Sequence, residues 1–432
     1  MIFMKHLKFV DPLRNTIITI PHYLKEHFIK LKYPRIPNNY FLDKIYTFYF
    51  SFIKRKIFFC FKLVWKLKVF LRDPPRKDNI IFDKTSSNYL ENLFDKNDYL
   101  IIKNRLEDID NIYLSKNILM FCLKNIFKGS LRLNYLIKLI EIISPKKILT
   151  MIDNDKDFYL ISDFFKNTQI QFLAIQNASR NIDLKKFFEN KFVHDYFVIG
   201  QYEKEILKNS KDSIVKLHSI GSLRAALAKK VLEKDKYPQE EVYDLCVVCE
   251  PFYITTGEEY FDDEYEKHVE NIIKVAEYSL KYAKKFQKKI ILLGKADLGS
   301  ASGSHLKEAE EKFYKNYIKT EDFKIKFNKK KEFENYKYIL KSKVIIGFSS
   351  TMLREAFAFD KKILCVDFAN IANTEFPSWG ICLLKKNNYE LFEERLKKIE
   401  SLNFEKYLNE IESVNSIYQS DVNTLDYLNQ HI

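Results

Sequence analysis

From Asn79 onward, short apolar runs alternate with longer segments of helical periodicity. The runs are Asn79–Phe82, Tyr99–Ile102, Ile148–Ile152, Ile170–Ile175, Tyr196–Ile199 and Val215–Ile220. Helix-length segments between them include Ile118–Ile143 and Asp157–Phe165. A charged stretch with Pro238, Glu233–Glu241, interrupts the series. A second series follows at Leu245–Val248, Ile290–Leu293, Phe323–Phe327, Val344–Ile346 and Ile363–Val366. Its helices are predicted at Glu264–Phe286, His305–Lys319, Met352–Phe359 and Tyr389–Ser401. Alternation of this kind predicts parallel sheets covered on both faces. Two series of similar size predict an α/β protein of two Rossmann-like domains facing across a cleft, at residues 78–233 and 241–432. The last stretch of the chain reads as helical and suited to packing back across both domains.

Residues 1–77 have a different pattern. They hold 17 Lys+Arg and 4 Asp+Glu, a net of +13, so the remaining residues carry 14 − 13 = +1 of the total. The basic character belongs to this extension, and the body is nearly neutral. Within it, Ile45–Leu71 predicts a helix that is apolar almost all round. Lys44, Lys54, Arg55, Lys62, Lys66, Lys68 and Arg72 are gathered on one arc with Lys56 outside it; Phe59, Leu63, Leu67, Phe70 and Leu71 lie opposite, and Phe58, Phe61 and Trp65 intrude on the basic side. This suits a helix lying in a membrane interface with its cations at anionic head groups, each worth about 1 kcal/mol. A buried helix with snorkelling lysines, or one docked on a partner protein, fits the same pattern. Nucleic acid fits poorly, because the body has no excess positive charge and the chain no recognised binding module. Asp73-Pro74-Pro75 ends the helix and marks a boundary near residue 77.

The six cysteines are scattered, several of them in apolar runs. Cys246 and Cys249 form one C-x-x-C, but the intervening Val-Val reads as a buried strand, and no second pair completes a zinc site. No metal is expected. A reducing, cytoplasmic compartment follows. No cleavable signal and no uninterrupted apolar span of transmembrane length is seen. Together with the basic extension this predicts a peripheral location at the inner face of the cell membrane.

The densest chemistry is at Lys343–Phe368, KVIIGFSSTMLREAFAFDKKILCVDF. An apolar run ends on Gly347; Phe348, Ser349, Ser350 and Thr351 follow, then helix formers and a second apolar run. This reads as strand, tight loop, helix, strand. A hydroxyl-rich turn with free N–H groups suits a phosphate. It lacks the lysine and glycines of a P-loop. Gly200, Gly221, Gly294 and Gly347 each directly follow an apolar run, where an open α/β sheet places its ligand.

The double Rossmann-like pattern and GFSSTMLREA resemble nucleotide-sugar-dependent glycosyltransferases of the GT-B architecture. More closely, they resemble bacterial surface-carbohydrate proteins related to polysialyltransferases and CDP-glycerol glycerophosphotransferases. The resemblance covers roughly residues 78–430 and is carried by Gly347–Ala356, with support from Ile175–Arg180, Asp195–Glu203 and Phe376–Leu384. It implies a donor nucleotide in the second domain and an acceptor at the first. It places Ser349 and Ser350 at the donor phosphates, with Thr351 supporting and Glu355 accepting hydrogen bonds from a ribose diol. Capping accounts for the serines equally, and a first-turn charge for Glu355. Arg354 is open to phosphate or to the surface. Relatives often carry His-Pro after the second strand of this domain, whereas here Ile290–Leu293 runs into Gly294-Lys295-Ala296-Asp297. Lys295 then offers the positive charge, and Gly299–Ser304 is either a phosphate cradle or a surface loop.

In the first domain a base is needed for inverting transfer, and Asp153, first after its strand, is the candidate; capping of the next helix by Asp153 and Asp155 competes. Asn177 reads as a substrate hydrogen-bonder and Arg180 as a contact for an anionic sugar or phosphate. No cofactor is expected beyond the nucleotide-sugar donor, and no obligatory metal. The acceptor would be lipid-linked or a glycan. Competing readings on the same fold are a CDP-polyol phosphotransferase, a nonhydrolysing nucleotide-sugar epimerase, or a non-catalytic binding scaffold.

Overall fold

The computed structural model describes residues 67–105, 108–127, 130–180, 191–208, 213–235, 237, 242–250, 263–298, 303–318, 323–328, 333–370 and 376–432. The chain divides into a unit ending at Lys68 and a compact unit of Val69–Ile432. Most of the helix expected over Ile45–Leu71 lies outside the described residues. Its described end differs from expectation, since Lys68–Phe70 is extended.

The first series of runs forms one sheet. Its strands are β1 (Asn79–Phe82), β2 (Tyr99–Ile102), β3 (Lys147–Thr150), β4 (Gln171–Ile175), β5 (Val193–Val198) and β6 (Ile214–Ser219), in spatial order β2-β1-β3-β4-β5-β6. Every pairing is parallel, with Ile81 set between Ile101 and Leu149. Alternate residues serve opposite faces. Ile80, Phe82, Ile148 and Phe172 pack under α1 (Lys116–Lys124), α2 (Leu131–Ile143) and α3 (Lys156–Phe164). Ile81, Leu149, Leu173 and Phe197 pack on the other face with Leu223 and Leu227 of α5 (Leu223–Lys234). The short helix α4 (Gln201–Leu207) follows β5. Period-two alternation between two covered faces explains why these runs are apolar throughout.

The single helix expected over Ile118–Ile143 is broken into α1 and α2. Ser130 caps the second piece, its Oγ accepting from Leu133 N at 3.0 Å.

The second sheet contains β7 (Tyr243–Val248), β8 (Ile290–Asp297), β9 (Ile325–Asn328), β10 (Ser342–Gly347), β11 (Lys362–Val366) and the two-residue β12 (Leu383–Leu384). Its order, β9-β8-β7-β10-β11-β12, is again wholly parallel. Counted from β7, this is the 3-2-1-4-5-6 order of a dinucleotide-binding sheet. Helices α6 (Asp263–Lys285), α7 (Gly303–Tyr317), α8 (Glu334–Leu340), α9 (Thr351–Glu355) and α10 (Tyr389–Ser401) accompany it. The molecule is therefore α/β with two Rossmann-like sheets.

The end of the chain returns to the first sheet through α11 (Phe404–Asn409), α12 (Val414–Ile417) and α13 (Thr424–His431). Leu428 is fully buried in the first sheet's core, and Thr424 Oγ1 donates to Ile220 O. Gly200 allows this crossing: a Cβ there would stand 2.3 Å from Ser416 O.

Candidate functional site

In the second sheet the strand order reverses between β7 and β10. The crevice outside the carboxyl ends of those two strands is where such sheets hold ligands. Glu250 follows β7 and Phe348-Ser349-Ser350 follow β10. Ser349 Oγ donates to Glu250 Oε2 at 2.9 Å. Ser350 caps α9, its Oγ accepting from Met352 N at 3.3 Å. Ser349, Ser350 and Thr351 are all half-buried. Gly347 is the last residue of β10 and lies in the core.

The same loop meets the first sheet. Thr351 Oγ1 accepts from Ser179 N at 2.8 Å, and Ser179 lies in the loop that leaves β4. The carboxyl ends of the two sheets thus face each other, with Ser349–Thr351 at the meeting point.

Arg354 and Glu355 are turned away from that loop. Arg354 is 1% exposed; its Nη1 and Nη2 donate to the two oxygens of the fully buried Glu203, the second bond at 2.9 Å. Its Nε donates to Ile417 O at 2.7 Å. The guanidinium expected at phosphate or on the surface is instead a bidentate tie between the sheets. Glu355, 1% exposed, accepts from Ser222 Oγ at 2.6 Å and Tyr336 OH at 2.8 Å. The guanidinium of Arg224 lies 3.6 Å from it. The carboxylate expected at a ribose diol is occupied by partners from both sheets. Adjacent residues 354 and 355 thus bring opposite charges to a carboxylate on α4 and a guanidinium on α5, helices that flank the first sheet.

Asp153 is also committed. Its oxygens accept from Arg180 Nε at 3.0 Å, from Arg180 Nη2, from Tyr196 OH at 2.8 Å and from Asn177 N at 3.2 Å. Burial pulls the Arg180 guanidinium down, but Asp153 outweighs it and the net shift is upward. A general base needs an open lone pair, and here four donors fill the carboxylate. Asp155, not Asp153, caps α3, through Asp157 N at 2.8 Å. Asn177 presents its carbonyl to Arg224 Nη2. Arg180, its side chain 21% exposed, is the ion-pair partner of Asp153.

Gly294 and Lys295 lie inside β8, not in a turn after it. A Cβ at Gly294 would stand 2.4 Å from Phe327 Cε1, so glycine is required by strand packing rather than by a phosphate. The pairing of β8 with β9 shifts register between Leu293 and Asp297. Glu310 of α7 compensates, accepting from Lys295 N at 3.0 Å and Ala296 N at 3.1 Å. Burial raises the Glu310 carboxyl, against the lowering pull of those N–H groups, to about 7. An acid whose pKa is higher folded than unfolded favours folding most at low pH. That contribution is complete below the unfolded value of 4.5 and is lost as pH rises through about 7. In Glu310→Gln this part of the pH dependence should vanish. Urea midpoints at several pH values check it: the wild-type-minus-variant difference should fall between those limits, and a flat difference refutes the assignment.

The cysteines at 122, 246, 249, 365 and 382 are free and buried, as their apolar settings imply. Among the described residues no group of three or more His, Cys, Asp or Glu is placed to hold a metal ion. Among them, too, no helix is long and apolar enough to cross a membrane.

No family model and no curated protein matches this chain. Solved structures do. A glycosyltransferase from Rickettsia africae is 16% identical, with 82% of this chain and 98% of that one covered, at a TM-score of 0.38. A UDP-GlcNAc 2-epimerase from Neisseria meningitidis bound to UDP-GlcNAc is 13% identical, covering 82% and 98%, at 0.48. A wall teichoic acid polymerase is 10% identical, covering 88% and 97%, at 0.42. The likeness is one of fold, and what those proteins bind or make is said of them alone. The two sheets described above give this chain a GT-B-like fold.

Residues that sequence reasoning passed over include Glu250, Glu203 and Arg224. Glu250 was within reach, as the first polar side chain beyond the apolar run at Leu245–Val248. Glu203 and Arg224 sit on α4 and α5, which follow apolar runs but carry too little apolar periodicity to stand out.

Proposed function

We propose that this chain is a nucleotide-sugar-dependent glycosyltransferase of bacterial surface polysaccharide biosynthesis. One observation carries the reading: three consecutive hydroxyl residues, Ser349 to Thr351, lie at the strand-order reversal of the second sheet, opposite a loop of the first. The hydroxyls and nearby N–H groups suit the donor's phosphates. Glu250, which already accepts from Ser349, takes over the role first given to Glu355 and receives hydroxyls of the donor's ribose or sugar. The acceptor, lipid-linked or glycan, enters from the loops of the first sheet. The basic segment 1–77 holds the enzyme at the inner face of an anionic membrane.

A thermal-shift panel of the full chain with CMP, CDP, UDP, GDP and dTDP tests the donor site. One nucleotide should raise the melting temperature selectively, because ligand at a hundredfold its Kd adds about 2.7 kcal/mol. Ser350→Ala should weaken that nucleotide about tenfold, read as a smaller shift from the variant's own baseline. No shift with any nucleotide sinks the proposal.

A second reading has a specific observation behind it. Asp153, Arg354 and Glu355 are all fully engaged within the protein, which suits a binding scaffold without turnover. Nucleotide binding without transfer to any acceptor would select it.

A further inference from the structure

Helix α1 is apolar on two sides. Ile118 and Cys122 face the core beneath the first sheet. Leu119, Met120 and Leu123 project from the opposite side, 48%, 45% and 54% exposed. Beyond the helix Phe127 is 97% exposed, and Leu131, at the start of α2, is 56% exposed. Five exposed large apolar side chains so close in sequence mark an interaction surface.

Two observations say what covers it. The first is charge. Between Asp110 and Glu141 there is no carboxylate, while Lys116, Lys124, Lys128, Arg132 and Lys138 all fall there. Arg132 and Lys138 reach the edge carboxylates Asp157 and Glu141. Lys116 and Lys124 are exposed on and beside the apolar face. In a body of net charge 14 − 13 = +1, this stretch stands out as carrying one sign. The second is continuity. Phe70 O accepts from Leu114 N at 2.8 Å, and the Phe70 ring stacks on Tyr113 at 5.2 Å. The neighbouring Val69 and Leu71 are 48% and 82% exposed. Residues 69–71, apolar and largely exposed, therefore lie beside Tyr113 and Leu114, just before the start of α1.

We propose that α1, the turn after it and the start of α2 form a membrane-contact face of the body. Leu119, Met120, Leu123, Phe127 and Leu131 enter the head-group region of an anionic lipid surface, and Lys116 and Lys124 meet the head groups. Apolar insertion beside cations is the chemistry of interfacial helices. The face is separate from the nucleotide crevice and does not depend on the reading of that crevice.

The test is co-sedimentation of the full chain with phosphatidylcholine vesicles, with and without phosphatidylglycerol. The wild type should bind the anionic vesicles, less so at high salt. Leu123→Asp/Phe127→Asp should lower partitioning about a hundredfold, since each large apolar side chain removed is worth about tenfold. Its thermal unfolding should match the wild type, because both side chains are exposed. Lys116→Glu/Lys124→Glu should remove the preference for anionic lipid. The proposal fails if the wild type binds neither vesicle, which would leave the face to a protein partner. It also fails if Leu123→Asp/Phe127→Asp binds undiminished, which would assign all binding to the preceding segment. The nucleotide-induced shift, measured on the same variant, reports on the crevice independently.

Discussion

Replacing Arg354 with alanine is expected to remove about 3–5 kcal/mol of stability. The cause is what remains behind. Glu203 is fully buried, and its two oxygens receive both ends of the guanidinium. Without Arg354 that carboxylate keeps one donor among the described residues, Gln176 Nε2 at 2.9 Å, too little to offset its desolvation. The carbonyls of Ile417 and Ser416 lose a donor as well. Equilibrium unfolding in urea measures the loss. The pair Glu203→Leu/Arg354→Met provides the control: removing both charges should recover much of the stability, because a buried ion pair is costly to break but not to replace. A variant Arg354→Ala within about 1 kcal/mol of the wild type would contradict the account.

Asp153→Ala should cost a similar amount, about 3–5 kcal/mol, and for the same reason. The buried Tyr196 hydroxyl, the Asn177 N–H and the Arg180 guanidinium all lose their shared acceptor. Burial, then the neighbouring Asp153 charge, holds the Tyr196 phenol well above its ordinary range. Its proton stays in place and needs an acceptor. The measurement separates two roles for this residue. A general base at an open cleft can be removed with the melting temperature intact and turnover lost. A structural carboxylate takes the fold with it. Asp153→Asn should fall between wild type and Asp153→Ala, since it keeps an acceptor but loses the charge. An unchanged melting temperature in both variants would restore the catalytic role.

Most of the sheet scaffold was legible in the sequence because parallel strands buried on both faces are apolar along their whole length. Ile80 and Ile81 point to opposite cores, yet neither face tolerates a polar residue, so the run shows plainly. The boundaries moved where a strand begins on residues ahead of its apolar run, as at Lys147 and Tyr243. Helices α4, α5 and α8 were missed. Helices α4 and α8 are seven residues each, too short for a period to show, and the buried face of α5 mixes alanines with leucines into a weak stripe. The partners of the charged side chains could not be read at all. Arg354 meets Glu203 across 151 positions of sequence and Glu355 meets Ser222 across 133. Local pattern sees a cation or a carboxylate early in a helix; only the tertiary fold decides whether it faces ligand or counter-ion. The two ends of the GFSSTMLREA stretch do different work. Ser349–Thr351 lie at the crevice, and Arg354–Glu355 fasten the sheets together.

The return of α13 to the first sheet has a consequence for how the protein is made. Thr424 closes against Ile220 across 204 positions of sequence, and Leu428 fills the core beside Leu223 and Leu227. During translation, the first half emerges complete in its strands yet with part of one face uncovered. That half must wait, apolar surface open, until the second sheet has been synthesised and the tail can reach back. Contacts of such long range are slow to form, and intermediates with exposed apolar surface are the ones that aggregate or recruit chaperones. The nascent chain should therefore stay vulnerable until the α13 segment has left the ribosome.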